Sequence, residues 1–127
     1  MQRRVSSGTE WEDMVGYSRA VRTGDEVRVA GTTATDDDGS VVAPGDPYEQ
    51  TAHAIELVAD ALEEAGASLE DVVRTRLFVT DIDDWEAVGR AHGEAFGDVR
   101  PASTMVEVNR LIDDDLVVEV EAVAVTD

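Results

Sequence analysis

The most regular pattern in the chain is an alternation of apolar and other residues over positions 116–125. One face of this segment is apolar at every second residue from Leu116 to Ala124, whereas the other face combines valines with Glu119 and Glu121. A period of two predicts a β-strand. Residues 71–80 alternate in the same way and predict another strand, with Val73, Thr75, Leu77 and Val79 on one face and Val72, Arg74, Arg76 and Phe78 on the other.

Two segments have the spacing of an amphipathic helix. The first begins at Asp46, an N-cap residue followed by Pro47 at the first helical position and by Glu49, which is placed to complete a capping box. Gly66 predicts its end, and its apolar stripe consists of Ile55, Val58, Ala59, Leu62 and Ala65. The second helix covers residues 83–96, with an inner stripe of Trp85, Val88, His92 and Ala95 or Phe96.

Shorter patterns supply the remaining strands. Residues 18–22 and 26–31 predict two strands joined by a turn, and residues 104–111 predict a strand before the last one. The order ββαβαββ predicts an α+β fold with a mixed sheet. Two helices cover only one face of such a sheet. Because the other face is also largely apolar, we expect it to be covered by further copies of the chain.

The length and composition predict one soluble domain over residues 1–127. Twenty-nine acidic residues oppose ten basic ones, and all ten basic residues are arginine. The net charge of −19 would cause self-repulsion in dilute buffer, whereas molar salt would screen it. Adaptation to high intracellular salt is the favoured interpretation, and an ordinary acidic cytosolic protein is the alternative.

Several classes of function do not fit this composition. Nucleic-acid binding depends on clustered basic residues, and no basic run here is longer than Arg3–Arg4. No apolar stretch is long enough for a membrane helix and no secretion leader is apparent, so we expect a cytoplasmic protein. The absence of cysteine excludes thiolate chemistry. The acidic loop 36–40 lacks the spacing of a calcium loop, so we expect no metal site.

Four separated blocks resemble a known family. Residues 100–111 read Arg-Pro-Ala-Ser-Thr-Met-Val-Glu-Val-Asn-Arg-Leu and are followed by Glu-Val-Glu-Ala at 119–122. This resembles the C-terminal signature of the reactive intermediate deaminase family (RidA, or YjgF), Pro-Ala-Arg-Ser/Thr-x-Val-Glu-Val-x-x-Leu and then Glu-Ile-Glu-Ala. Residues 16–20, 29–31 and 75–85 resemble further blocks of that family.

The resemblance implies a chorismate-mutase-like subunit in a homotrimer, with the sheets turned inward and a small-molecule cleft at each interface. Deaminating relatives hydrolyse an enamine or a 2-imino acid to a keto acid and ammonia, without a metal or an organic cofactor. An arginine binds the substrate carboxylate, a glutamate and backbone groups at a glycine turn position water, and a tyrosine closes the pocket. The matching residues here are Glu119 and Tyr17 as catalytic residues, with Gly31 and Thr32 at the turn.

The chain departs from the family pattern at the carboxylate-binding position. Ser103 stands where deaminating relatives have arginine, Met105 where a cysteine or small residue is common, and Gly89 where many relatives have asparagine. Loss of a buried cation costs about 2–5 kcal/mol, so 2-imino-acid turnover should be strongly reduced unless another cation compensates.

Arg76 is the best candidate for that compensation, and Arg100 is the second. Alternatively, Arg74 and Arg76 pair with Glu119 and Glu121 on the inward-facing sheet. His92 is interpreted as a hydrogen-bonded residue on a buried helix face, with general-base catalysis as the alternative.

Trp85 is expected in the core, where it also forms a wall of the cleft.

Three hypotheses about function follow from the candidate site residues. The protein is an imine or enamine hydrolase of altered substrate range that uses Glu119 and Tyr17, a metabolite-binding trimer without turnover because of Ser103, or a chaperone-like scaffold with a vestigial cleft.

Overall fold

The computed structural model describes residues 2–127, which form a six-stranded sheet and three α-helices. The strands are β1 (Gln2–Val5), β2 (Ala20–Thr23), β3 (Glu26–Thr32), β4 (Val72–Val79), β5 (Ala102–Glu107) and β6 (Val118–Val125). The helices are α1 (Glu10–Val15), α2 (Pro47–Glu64) and α3 (Trp85–Phe96).

The sheet has the strand order β1-β2-β3-β6-β4-β5. β4 and β5 are parallel and are connected through α3, whereas every other neighbouring pair is antiparallel. A parallel pair needs such a crossover, and a helix is its usual form. The predicted α+β fold with a mixed sheet is confirmed.

The ends of α2 follow the predicted chemistry with one difference. The Asp46 side chain accepts a hydrogen bond from the Glu49 N–H at 3.0 Å, and Gly66 follows the helix at a φ of +82°. Both features match the expected N-cap and C-terminal stop. The reciprocal half of the capping box is not formed, because the Asp46 N–H donates to the Ala43 carbonyl instead.

The core lies between the sheet and the pair α2–α3. The alternate residues of β6 from Val118 to Ala124 are all buried, as predicted, and they pack with Val58 and Leu62 of α2. Leu116, just before β6, is buried as well. Burying side chains of this size stabilises the fold by about 1.5–3 kcal/mol each. The central position of β6 fixes the alternate residues of this strand, including Glu119 and Glu121, on the opposite face of the sheet.

Strand β4 corrects one predicted pattern. Its register against β6 shifts between Val72 and Arg74, so the chain gains one residue there. Val72 is consequently buried and Val73 is 48% exposed, the reverse of the expected placement. From Thr75 onward the alternation is as predicted, and the face that carries Thr75 and Leu77 packs toward the helices.

Two N-terminal elements were not expected from the sequence. β1 extends the sheet beyond β2, and α1 is a six-residue helix between them. Glu12 of α1 is buried because its carboxylate accepts hydrogen bonds from the backbone and hydroxyl of Ser7 and from the Thr9 hydroxyl. These bonds lower the pKa of Glu12 below its ordinary value although burial opposes them.

The face of the sheet opposite α2 and α3, which we call the open face, carries charged and apolar residues together. It includes Glu119, Glu121 and Val123 of β6, all half-buried, and Arg76 of β4. β5 lies at one edge of the sheet, and most of its residues are exposed. In the part of the chain from residue 2 onward, no helix is long and apolar enough to cross a membrane.

Candidate functional site

Glu119 and Gly31 occupy neighbouring strands and lie in contact on the open face. A Cβ atom at residue 31 would lie 2.9 Å from Cδ of Glu119 and would overlap its Oε2 atom. Only glycine therefore leaves room for the carboxyl group in this position. This contact explains how a glycine in β3 and a glutamate far along the chain in β6 can belong to one site.

The carboxyl group of Glu119 has no hydrogen-bond donor from residues 2–127. Burial raises its pKa above the ordinary value, the neighbouring Glu121 carboxylate raises it further, and the Arg19 guanidinium opposes both effects. A half-buried carboxyl group with an upward-shifted pKa and free oxygens is a better proton donor to a bound ligand at a given pH than an exposed carboxylate, and its ionised form can accept a proton. Such groups are more common at functional sites than on ordinary surfaces.

Arg19 joins this corner of the open face, although sequence analysis did not select it. Its Nη2 donates a 2.6 Å hydrogen bond to the Gly31 carbonyl, and its Cζ lies 5.7 Å from the ring centre of Tyr17. Tyr17 is 38% exposed and precedes β2. The structure therefore brings together Tyr17, Arg19, Gly31 and Glu119, which we call the glutamate corner.

Thr32 and Arg76 take positions outside the glutamate corner. Thr32 is buried, and its hydroxyl donates to the Ala30 carbonyl at 2.8 Å. Arg76 pairs with Glu121 at 2.9 Å across β4 and β6. This contact is the ion pair that the sequence offered as the alternative to ligand binding by Arg76. Arg76 also lines a shallow depression of about 180 Å³ on the open face, which Glu119 does not line.

Arg100 is exposed in the single chain. It has a left-handed φ of +54°, and its N–H donates to the Phe96 carbonyl at 2.8 Å as the chain leaves α3. Its side chain is therefore placed by a helix-ending turn and not by contacts with the glutamate corner.

Ser103, Thr75 and His92 form a second polar cluster, which we call the hydroxyl relay. Thr75 donates a 2.8 Å hydrogen bond to Ser103 Oγ, and Nε2 of His92 lies 2.8 Å from the same Thr75 hydroxyl. Because a hydroxyl has one proton, Nε2 of His92 must be the donor to Thr75. Ser103 is exposed, so its own proton is free to reach a ligand.

His92 is held by burial in its neutral form. Its ring lies against Phe96 with the ring centres 4.7 Å apart, and burial lowers its pKa below the ordinary value. The predicted hydrogen-bonded role on a helix face is confirmed. Since the imidazole is neutral at pH 7, the hydroxyl relay presents a polar but uncharged surface where relatives have a cation.

Two other predicted ligand residues are Met105 in β5 and Trp85 at the start of α3. Met105 is half-buried and packs against the core from the face that carries Ser103. Trp85 is 57% exposed at the start of α3, so the expectation that it belongs to the core is wrong for the single chain. The helix begins at this residue after a turn at Ile82–Asp84, and its indole therefore lies outside the stripe that faces the sheet.

The glutamate corner and the hydroxyl relay lie on opposite faces of the sheet. Ser103 is in register with Thr75, whereas Glu119 is in register with Phe78, three residues further along β4. Three residues span about 10 Å of a strand and reverse the face. One chain therefore does not bring Ser103 and Glu119 into one pocket. Among residues 2–127 no group of histidines and acidic residues is placed to hold a metal ion.

Comparison with known proteins identifies the family. Residues 8–126 match the family described as Endoribonuclease L-PSP. Protein SCO2049 of Streptomyces coelicolor is 47% identical over 122 residues, which cover 96% of this chain and 90% of that protein. The 3-aminoacrylate deaminase RutC of Acinetobacter baylyi is 34% identical over 108 residues, 85% of each chain.

A solved structure agrees with these sequence relationships. Rv2704 of Mycobacterium tuberculosis, described as a member of the YjgF/YER057c/UK114 family, has a TM-score of 0.91 and 49% identity, with 99% of this chain and 100% of that chain covered. The chain therefore belongs to the Endoribonuclease L-PSP family, which is the RidA/YjgF family that its signature resembles.

Proposed function

We propose that the protein is a cytoplasmic homotrimer, adapted to a high-salt interior, that hydrolyses imines or enamines without a cofactor in clefts between its subunits. Glu119 acts as the acid and base, and Tyr17 closes the cleft. The observation that carries this proposal is the half-buried Glu119 carboxyl group, which has a raised pKa and no hydrogen-bond donor from residues 2–127.

The reaction needs one group that both gives and takes a proton. Protonated Glu119 donates to the imine nitrogen, and its carboxylate then accepts a proton from the water that adds to the imine carbon. The resulting carbinolamine loses ammonia, so an imine and water become a carbonyl compound and ammonia. An enamine enters the same route after protonation at carbon. General acid–base catalysis of this kind contributes about 10²- to 10⁴-fold to the rate.

The positions of Ser103 and Glu119 support a cleft built from two copies. Both residues match cleft positions in the family resemblance, yet they lie on opposite faces of one sheet. The proposal therefore requires that a second copy packs on the open face and contributes its own β5 edge beside the Glu119 of the first. The apolar part of the open face, including Val123 and Val125, would be covered by the same contact.

The relatives favour an enamine or imine substrate over RNA. A curated relative is named 3-aminoacrylate deaminase, and 3-aminoacrylate is an enamine. The family description names a ribonuclease, but a net charge of −19 opposes binding to a polyanion. We therefore propose deamination, and not RNA cleavage, as the activity.

The test is ammonia release from freshly generated imines and enamines by wild type, Glu119→Gln and Glu121→Gln. The two variants remove the same charge from the same face of β6. We expect Glu119→Gln to lose at least about 10²-fold in kcat/KM and Glu121→Gln to stay within about tenfold. Equal losses in both variants, with unchanged size and thermal midpoint, would contradict a specific role for Glu119.

Binding without turnover is the second candidate. The hydroxyl relay supports it, because Ser103 offers an uncharged hydrogen bond where deaminating relatives have a cation. Absence of ammonia release from the whole panel by wild type would favour this reading. The chaperone-like alternative predicts neither turnover nor saturable binding of small molecules.

A further inference from the structure

Arg19 is a cation without a carboxylate partner in a chain that is rich in carboxylates. Twenty-nine acidic residues surround ten arginines, and within residues 2–127 the ion pairs are Arg28–Glu26, Arg76–Glu121 and Arg110–Asp114. Arg19 is one of seven arginines absent from these pairs, and it is the one that lies close enough to Glu119 to influence its titration. An arginine without an ion pair in this position is available to an external anion.

The hydrogen bonds of Arg19 leave most of its donors unused. One Nη2 bond reaches the Gly31 carbonyl at 2.6 Å, whereas Nε is buried and has no acceptor among residues 2–127. A guanidinium has five N–H donors, and leaving a buried donor without an acceptor is unfavourable. The side chain is partly exposed, so an incoming carboxylate could accept two of its N–H groups.

The other two candidate cations make no hydrogen bond within the glutamate corner. Arg76 is bound to Glu121, and Arg100 is exposed on the turn after α3. Arg19 alone of these three contacts the residue that adjoins Glu119. In a 2-imino acid the carboxylate carbon is bonded to the reacting carbon. A cation that binds this carboxylate must therefore lie near the acid and base, as Arg19 does.

We propose that Arg19 is the anion-binding residue of the cleft, taking the place of the arginine absent at Ser103, and that it binds carboxylate ligands more tightly than their neutral isosteres. This inference rests on the proposed site but does not require turnover. Tyr17 stacks near the guanidinium and limits the directions from which a carboxylate can approach.

A purely structural role for Arg19 makes a different prediction. In that role the arginine holds the Gly31 carbonyl and the Glu119 environment, and its replacement weakens every ligand alike. An anion-binding role requires that replacement weakens charged ligands selectively. A charged ligand and its neutral isostere therefore separate the two roles.

The experiment titrates propionate and propionamide into the full-length protein and follows binding by NMR chemical shifts at low and at molar salt. Wild type should bind propionate at least about tenfold more tightly than propionamide, with a smaller ratio at high salt. Arg19→Gln should reduce propionate binding to the level of propionamide. Arg110→Gln, which removes a charge from an exposed loop, should leave both affinities unchanged.

Arg19→Lys is a control for a folding defect, because lysine keeps the positive charge but cannot form the bidentate hydrogen bonds of a guanidinium. We expect it to keep wild-type size and to bind propionate at least about threefold more weakly than wild type. Propionate binding of wild-type strength in Arg19→Gln would overturn the inference, as would equal affinity of wild type for the acid and the amide. Because these readouts need no turnover, failure of ammonia release alone would contradict only the proposed hydrolysis.

Discussion

A side chain on Gly31 and the carboxyl group of Glu119 cannot occupy their present positions together. A Cβ atom at residue 31 would lie 2.9 Å from Cδ of Glu119. The φ of Gly31 is outside the left-handed region, so alanine is acceptable to the backbone itself. The conflict is therefore between residue 31 and one movable carboxyl group.

Gly31→Ala should consequently preserve the fold and displace the carboxyl group of Glu119. Misplacement of a reacting group by about 1 Å can reduce the rate about 10²-fold, and we expect a loss of that order in ammonia release. Gly93→Ala is the matched control, because a Cβ on this α3 residue meets no atom within 4 Å. It should keep activity and gain about 0.5–1 kcal/mol in stability. Unaltered kinetics in Gly31→Ala would show that the carboxyl position is unimportant.

The pKa of Glu119 predicts how stability depends on pH. Burial and Glu121 raise this pKa above its ordinary value of 4.5 in the folded protein, and the opposing effect of Arg19 is smaller. The folded state therefore binds the proton more tightly than the unfolded state. The stabilising contribution of Glu119 is present below pH 4.5 and is lost as pH rises through the raised pKa.

Urea unfolding of wild type and Glu119→Gln between about pH 4 and pH 8 measures this contribution. Relative to wild type, the variant should become more stable as the pH rises. The comparison cancels the titration of groups that the two proteins share. A difference in free energy that does not vary with pH would mean that the folded protein does not shift the pKa of Glu119.

The hydroxyl relay predicts a stability effect at Thr75. This residue is fully buried and joins His92 to Ser103 through its hydroxyl. Thr75→Val keeps the shape but leaves Nε2 of His92 without an acceptor, and we expect a loss of about 1–3 kcal/mol. Thr75→Ser keeps the hydroxyl and loses only a methyl group, so it should cost less. A destabilisation in Thr75→Ser as large as in Thr75→Val would assign the effect to packing.

Restoring a cation at position 103 should change the ligand range. Removal of one partner of a buried charge pair costs about 2–5 kcal/mol, and each 1.4 kcal/mol is about tenfold. We expect Ser103→Arg to raise kcat/KM for 2-imino acids at least about tenfold in the Arg19→Gln background, in which the cleft lacks its proposed cation. Thr104→Arg adds the same charge on the other face of β5 and should not do so. Equal gains in both variants would indicate a general effect of reduced negative charge.

The open face predicts the assembly. Wild type should have a solution mass of about three times 13.7 kDa by light scattering. Val123→Asp places a charge on this face, and we expect it to dissociate the trimer because a buried unpaired carboxylate is costly. Ile112→Asp is the control, since this residue is 71% exposed in a loop. A stable trimer in Val123→Asp would place the contact elsewhere.

The sequence predicted the elements whose side chains have strong local patterns. α2 has caps at both ends, and β6 has an uninterrupted alternation that the core confirms. β1 was missed because Arg3 and Arg4 give it no apolar face, and α1 because six residues are too few for a periodic signal. Val72 is buried and Val73 exposed, opposite to the predicted faces, because the register of β4 against β6 shifts at this point. The pattern of residues within β4 alone cannot predict such a shift.

The candidate site was predictable only in part. The resemblance selected Tyr17, Gly31 and Glu119, and the fold places all three in one corner. Arg19 lies in the same segment as Tyr17, residues 16–20, but its importance depends on its contact with Gly31 and its proximity to Glu119 of β6. Such contacts join residues far apart in the sequence, so composition and spacing could not reveal them.

The location of β5 has a consequence for how this protein can change during evolution. Its residues from Ala102 to Glu107 are mostly exposed in the subunit, whereas β6 is buried along one whole face. Substitutions at exposed positions usually alter stability by less than about 0.5 kcal/mol. Mutations at Ser103 and its neighbours can therefore accumulate without unfolding the subunit, whereas changes around Glu119 disturb both the core and the carboxyl group. Ligand preference can diverge through the edge strand while the surroundings of Glu119, the proposed acid and base, stay fixed.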